Sequence, residues 1–144
     1  GGGGFAASVA SAVKALKPDT KVYAAEVESG AAFAASLAAG KPTEVDHPPS
    51  FVSGIGSPFV FEDVWPLIRS LLDGSTVSTL DDTARAVRLV AERARVVAEG
   101  AGAASLAGAL SGQAGGGKIV CVISGGNIDS EKLALILRGE VPSH

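Results

Sequence analysis

The chain has 144 residues, 47% of them hydrophobic, which is enough for one compact domain with a core and too apolar for a mainly disordered segment. Its net charge of -3 comes from 12 basic and 15 acidic residues with no basic cluster, which excludes an electrostatic footprint for nucleic acid or for an anionic membrane surface. No apolar run approaches the ~18 residues of a membrane span, the opening GGGGF lacks the pattern of a signal peptide, and Cys121 as the single cysteine excludes an internal disulfide. A small-molecule partner and a cytoplasmic setting are the expectations. The sequence contains no Met, initiator included, so a piece of a longer protein is expected.

In chain order, FAASVASAVKAL repeats apolar Ala6, Val9, Ala10, Val13 and Leu16 at helical spacing, with Ser8, Ser11 and Lys14 opposite, and predicts an amphipathic helix ended by Pro18 and Asp19. KVYAAE follows as a short buried strand, GAAFAASLAAG as a second helix closed by Gly40, and KPTEVDHPPS as a loop with a solvated His47. FEDVWPLIRSLLDG predicts a helix that tolerates Pro66 near its start and packs Phe61 and Trp65 into the core, and STVSTL predicts a strand. Thr79 or Asp81 then caps one long helix through DDTARAVRLVAERARVVAEG, whose inner face runs from Ala84 to Val97. AGAASLAGALSG, poor in charge, reads as a buried helix. KIVCVIS reads as an apolar strand with Cys121 a core thiol, GGN as a turn, and IDSEKLALIL as a helix capped by Asp129. Strands separated by helices predict an α/β fold, a parallel sheet with helices on its faces.

Three small-residue segments in this frame carry chemistry. Gly1, Gly2, Gly3 and Gly4 precede the first helix, where the lack of any Cβ lets main-chain amides reach an anion and the helix dipole adds to the attraction. Each such bond to a charged oxygen contributes roughly 1.5 to 3 kcal/mol. Taken alone, the run fits a flexible terminus as well as it fits a phosphate loop. In VISGGNID, Ser124 ends an apolar strand at its carboxyl end, where open parallel sheets bind ligands, although S-G-G-N alone is also an ordinary turn. In AEGAGAASLAG, Glu99 is followed by small residues that admit a backbone or a flat ring, and it serves equally well as a helix cap.

Taken in order, GGGGFAASVASAVKALKPDTKVYAAE, AERARVVAEGAGAASLAGALSG and GKIVCVISGGNID closely resemble the threonine dehydratase and serine racemase family, pyridoxal-phosphate enzymes of fold type II. The resemblance implies an open, mostly parallel sheet with helices on both faces. Residues 1–144 would be the later part of the larger, cofactor-binding domain, in an enzyme that is commonly a dimer. It implies that Gly1, Gly2, Gly3 and Gly4, with the amide of Phe5, hold the phosphate of pyridoxal phosphate. Ser124 would bond the pyridine nitrogen, Glu99 would orient the ring, and Gly54 would offer its backbone to cofactor or substrate. A neutral hydroxyl does not stabilise a pyridinium as a carboxylate does, so the ring is a weaker electron sink and loss of a β-hydroxyl is favoured. The implied activity is an ammonia-lyase that turns L-threonine, L-serine or a close β-hydroxy amino acid into a 2-oxo acid and ammonia. An amino-acid racemase on the same scaffold stays open. So does a noncatalytic phosphate-binding module, although the chain has no G-x-G-x-x-G after a strand to support it.

Two departures from the family pattern matter. Its Schiff-base lysine lies in an S-F-K-x-R-G type segment that is not found here, while Lys14, Lys17, Lys21, Lys41, Lys118 and Lys132 all fall in noncatalytic segments. The chain alone is therefore expected to be inactive, its activity belonging to the longer protein. Ser53 stands where relatives usually carry Asp, which bears on the choice of substrate. Glu26 matches a divalent-cation ligand of some relatives, yet the companion positions are Gly30 and Ala32, leaving Glu28 to compensate.

Overall fold

The computed structural model describes residues 1–144. Its elements are α1 (Gly4–Leu16), β1 (Tyr23–Val27), α2 (Ala32–Ala39), α3 (Trp65–Leu71), β2 (Gly74–Ser78), α4 (Leu80–Leu89), α5 (Gly100–Leu110) and α6 (Ser130–Leu137). β1 and β2 pair in parallel, Tyr23 opposite Gly74 and Val27 opposite Ser78. The long connection a parallel pair requires is supplied by α2, the loop after it and α3.

Because strand side chains alternate, β1 is buried on both faces. Ala25 and Val27 join a cluster with Phe51, Val52, Val87, Ala107 and Ile136, which gathers α4, α5 and α6. Ala24, with Val22 just before it, joins a second cluster with Ala10, Phe33, Trp65 and Ile68, which gathers α1, α2 and α3. The α/β arrangement with helices on both faces is thus the observed one. No helix is long and apolar enough to cross a membrane.

Local chemistry sets most of the boundaries. Gly40 closes α2 in the left-handed conformation at φ 72°. Thr79 caps α4, its hydroxyl oxygen accepting from the Asp82 amide at 3.0 Å, with Asp81 and Asp82 favourably placed in the first turn.

Several expectations need correction. Leu16 ends the apolar stripe of α1 yet is 83% exposed. Trp65 is buried, whereas Phe61 precedes α3 and is exposed. The long helix stops at Leu89 and passes through a π turn, Val90–Ala94, before Arg95 takes φ 59°, so Val96 and Val97 emerge exposed instead of lining the inner face. A π turn adds a residue per loop and rotates all that follows off the helical stripe. The apolar run after Lys118 is not a strand: the two strands pair with one another, and this segment has no ladder partner. Val120 is 88% exposed, and Cys121 is half-buried, its thiol pushed above its ordinary pKa by desolvation. Asp129 occupies the N-cap of α6 but caps no amide; it pairs with Lys132 at 3.2 Å.

One polar tie links α1 to the start of both strands. The Asp73 carboxylate accepts from Lys14 Nζ at 2.9 Å and from the Val22 amide at 2.8 Å, and these two bonds hold its pKa below the ordinary 3.8. A depressed folded pKa means stabilisation that is complete above 3.8 and is lost as the pH falls through the lower folded value. Asp73→Asn should lower stability at pH 7 by about 1 kcal/mol, with the deficit shrinking in acid, as read from urea unfolding at neutral and at acidic pH.

Candidate active site

The glycine loop ends where α1 begins. Gly3, at the N-cap, has φ 97° and ψ -10°, a backbone state that side chains resist, and a Cβ there would stand 3.0 Å from Ile68 Cδ1. No side chain caps α1. Ala7 is the first residue to bond back, its amide donating to Gly3 O at 2.9 Å, and the amides of Gly2, Gly3, Gly4, Phe5 and Ala6 have no protein acceptor. Space beside Gly4 is open, with nothing within 4 Å of where a Cβ would be. The loop is steadied from below, for Phe61 donates its amide to Gly2 O at 3.2 Å and lays its ring where a Gly2 side chain would go. A steadied row of free amides at the positive end of a 13-residue helix is suited to a phosphate.

The loop's neighbour is the turn Ser53–Gly56, closed by Gly56 N donating to Ser53 O at 3.3 Å. Ile55 O lies 3.8 Å from where a Cβ on Gly1 would be. On its other side, a Cβ on Gly54 would fall 2.8 Å from Ala101 Cβ and 3.3 Å from Glu99 Oε2. Glu99 is the N-cap residue of α5 but does not cap it. Its carboxylate instead fills the space a Gly125 side chain would need, and its amide donates to Gly125 O at 3.1 Å. A Cβ on Gly126 would meet Val97 O at 2.5 Å, and Gly102 lies so close under Gly125 that a side chain there would overlap its carbonyl. Ser124, next to Gly125, is exposed.

Gly1, Gly54, Glu99 and the Ser124–Gly126 turn, picked out separately in the sequence, therefore form one continuous set of contacts. A polar cavity of about 150 Å³ beside it is lined by Ser53, Glu99, Asn127 and Lys132, the last already paired with Asp129.

Glu26 stands apart from this set. It is 7% exposed and accepts from Phe33 N and Ala34 N, both at 2.8 Å, and from the Ser75 hydroxyl at 2.6 Å. It thereby caps α2, whose own N-cap residue Ala31 has no acceptor. Glu28 is likewise engaged with the Leu80 amide at 2.8 Å, and nowhere do three His, Cys, Asp or Glu side chains converge. In this structure the carboxylate suggested as a metal ligand accepts from three donors and ties α2 to β2. His47 also departs from expectation: it is half-buried, with Nδ1 2.9 Å from Ser29 O, and no local sequence signal marks it.

Residues 1–125 match the family of pyridoxal-phosphate dependent enzymes. The chain belongs to that family. It is 37% identical over 144 residues to a putative threonine dehydratase of Sinorhizobium fredii, covering 97% of this chain and 43% of that protein. To the serine racemase of Rattus norvegicus it is 34% identical, covering 99% and 44%. Among solved structures, a threonine deaminase of T.th. superposes with a TM-score of 0.80 at 34% identity, over 90% of this chain and 44% of that one. Maize serine racemase gives 0.83 at 31%, over 95% and 45%. The chain thus spans less than half the length of these relatives and has the α/β fold of fold type II pyridoxal-phosphate enzymes. Pyridoxal phosphate is the family's cofactor, and the open row of amides from Gly2 to Phe5 fits a group that carries a phosphate.

Close approach at α5 can be tested directly. Gly102→Ala drives a methyl into main-chain atoms of Gly125 that cannot rotate away, so a loss of about 1 to 3 kcal/mol is expected in urea unfolding. Gly4→Ala, with open space at its Cβ, is expected to leave stability unchanged or raise it by up to about 1 kcal/mol.

Proposed function

We propose that the chain belongs to a pyridoxal-phosphate-dependent ammonia-lyase that removes water and ammonia from L-threonine or L-serine to give a 2-oxo acid. The observation that carries this reading is the exposed, neutral Ser124 on the turn that Gly125 seats against Glu99. The free amides of Gly2, Gly3, Gly4 and Phe5 bind the phosphate and so fix the cofactor's position along α1. Gly54, backed by Ala101, holds the wall of the site close because it has no side chain, and Glu99 beside it orients the ring. Ser124 would offer the pyridine nitrogen a neutral hydroxyl, which would not hold a proton there as a carboxylate does. When bound, the cofactor supplies the electron sink that loosens the substrate's Cα–H bond. With Ser124 at the nitrogen that sink would be weak, which would favour loss of the substrate's β-hydroxyl.

Relatives on both sides of this choice are similar to the chain: the L-threonine ammonia-lyase of Thermotoga maritima at 33% identity and the rat serine racemase at 34%. The deciding experiment incubates the full-length protein and pyridoxal phosphate with each amino acid and measures 2-oxo acid, ammonia and the D-enantiomer. Release of 2-oxo acid and ammonia is expected, and Ser124→Ala should lower kcat by about 10- to 100-fold, the equivalent of one lost hydrogen bond to a charged or polarised group. D-serine formed without any 2-oxo acid would replace this reading with a racemase. The 144-residue chain alone, whose lysines all match noncatalytic segments, should release none.

A further inference from the structure

Resting on that reading, we propose that His47 is a positioning residue for the active site: its imidazole, wedged between Gly30 and Gly56, sets where the Ser53–Gly56 turn presents Gly54 to the cofactor. Ser29 O lies 2.9 Å from Nδ1 and, being a carbonyl oxygen, only accepts. Nδ1 therefore carries the proton and donates, and Nε2 is the edge turned toward Gly56.

Both walls of the slot are glycine. A Cβ on Gly30 would stand 2.9 Å from Nδ1, and one on Gly56 would overlap Nε2. The ring therefore fills the gap between the turn that follows β1 and the turn that carries Gly54. Because Gly56 bonds back to Ser53, the turn moves as a unit, and a push or a void at Gly56 is felt at Gly54. Gly54 has little freedom on its far side, where Ala101 and Glu99 stand, and Ile55 O borders Gly1 of the phosphate loop.

The remaining hydrogen bonds hold the ends of this segment, while Ile55 within the turn packs on the core cluster of α4, α5 and α6. Ser29 and Ser50 share a hydroxyl bond at 3.2 Å, the Val52 amide donates to Ser50 Oγ at 3.2 Å, and the Val45 amide donates to Pro58 O at 2.8 Å. On the side away from Ala101 and Glu99, His47 is the side chain set against the turn, at Gly56. It touches the turn from outside the site, so it acts through Gly54 and takes no part in the chemistry.

The test uses the full-length protein and three variants. His47→Ala empties the slot, His47→Phe fills it without a donor, and His47→Asn restores an amide N–H near the place of Nδ1. Hydrogen exchange of the Gly56 amide, which bonds Ser53 O, is read without cofactor, and the dissociation constant of pyridoxal phosphate is read by absorbance, with the unfolding midpoint alongside. We expect the Ala and Phe variants to exchange about tenfold faster and bind the cofactor about tenfold more weakly, and the Asn variant to recover both to within about threefold. Gly56→Ala, which drives a methyl into the imidazole from the other side, should weaken cofactor binding in the same way. Unchanged exchange in His47→Ala, or wild-type cofactor affinity in both the Ala and Phe variants, would overturn the proposal. Failure of the unaltered protein to take up pyridoxal phosphate would instead remove the functional reading, and exchange in the cofactor-free protein would still decide whether His47 holds the turn.

Discussion

Helix α5 has room for nothing larger than glycine at the points where the rest of the chain crosses it. A Cβ on Gly100 would fall 2.7 Å from Val52 Cγ2 and 3.0 Å from the Phe51 ring, one on Gly102 would overlap the Gly125 carbonyl, and one on Gly108 would overlap the Thr76 hydroxyl of β2. Between them lie the buried Ala103, Ala104 and Ala107. Each glycine in a helix interior costs about 0.5 to 1 kcal/mol relative to alanine. Contact at this range offsets the loss, since a gap of even half an ångström forfeits much of the dispersion between two surfaces. The sheet, the Phe51 loop and the Ser124–Gly126 turn therefore meet on a single spine. Glu99, at the N-cap of that spine, stands where the last two come together.

How much of this was readable in advance depended on whether a signal was local. The stripe of α1 as far as Val13, the αL glycine after α2, the Thr79 cap and the small residues of α5 are properties of adjacent residues, and the structure keeps them. Helical spacing continued through Val97 in the sequence, but the π turn after Leu89 and the αL Arg95 turn the chain before that spacing can be used. The reason is visible downstream: the segment from Val97 to Glu99 must run extended so that Val97 O abuts Gly126 and Glu99 bonds Gly125. KIVCVIS failed as a strand for a different reason. A continuous apolar run proposes a strand, but only a neighbour with free main-chain groups completes one. In its place the run is held by the Ser105 hydroxyl, which donates to Val122 O at 3.0 Å, and by the Glu99–Gly125 contact.

The site was legible as three separate glycine-rich segments, and their convergence was not. Which of them touch depends on Ile55 reaching Gly1 and Gly54 reaching Glu99, contacts between residues far apart in the chain. His47 lay beyond reach for the same reason, since its slot is made by two glycines from different loops. Glu26 did carry a hint. The start of α2 reads Ala31, Ala32, Phe33, with no residue able to cap it, and a buried helix start without a cap must draw an acceptor from elsewhere. Two carboxylates stand just before it, Glu26 and Glu28, and the one within the strand takes the role.

Two of the helix starts that lack a side-chain cap, α1 and α2, make the functional contrast. Neither has a side-chain cap of its own, so each leaves amides to be satisfied from outside the helix. At α2 the protein supplies the anion: Glu26 takes the Phe33 and Ala34 amides and a hydroxyl from β2, and the helix is locked to the sheet. At α1 it supplies none. Gly3 at φ 97° turns the chain without a side chain that could fold back, and Phe61 braces the loop from beneath, leaving the amides from Gly2 to Phe5 without a protein acceptor. Two helices in one domain thus meet the same electrostatic demand in opposite ways. Where the anion is built in, the result is a fixed joint. At α1, where it is withheld, the amides keep no protein acceptor, and a loop braced in this way would lose little ordering entropy on taking up an external anion such as the phosphate proposed above.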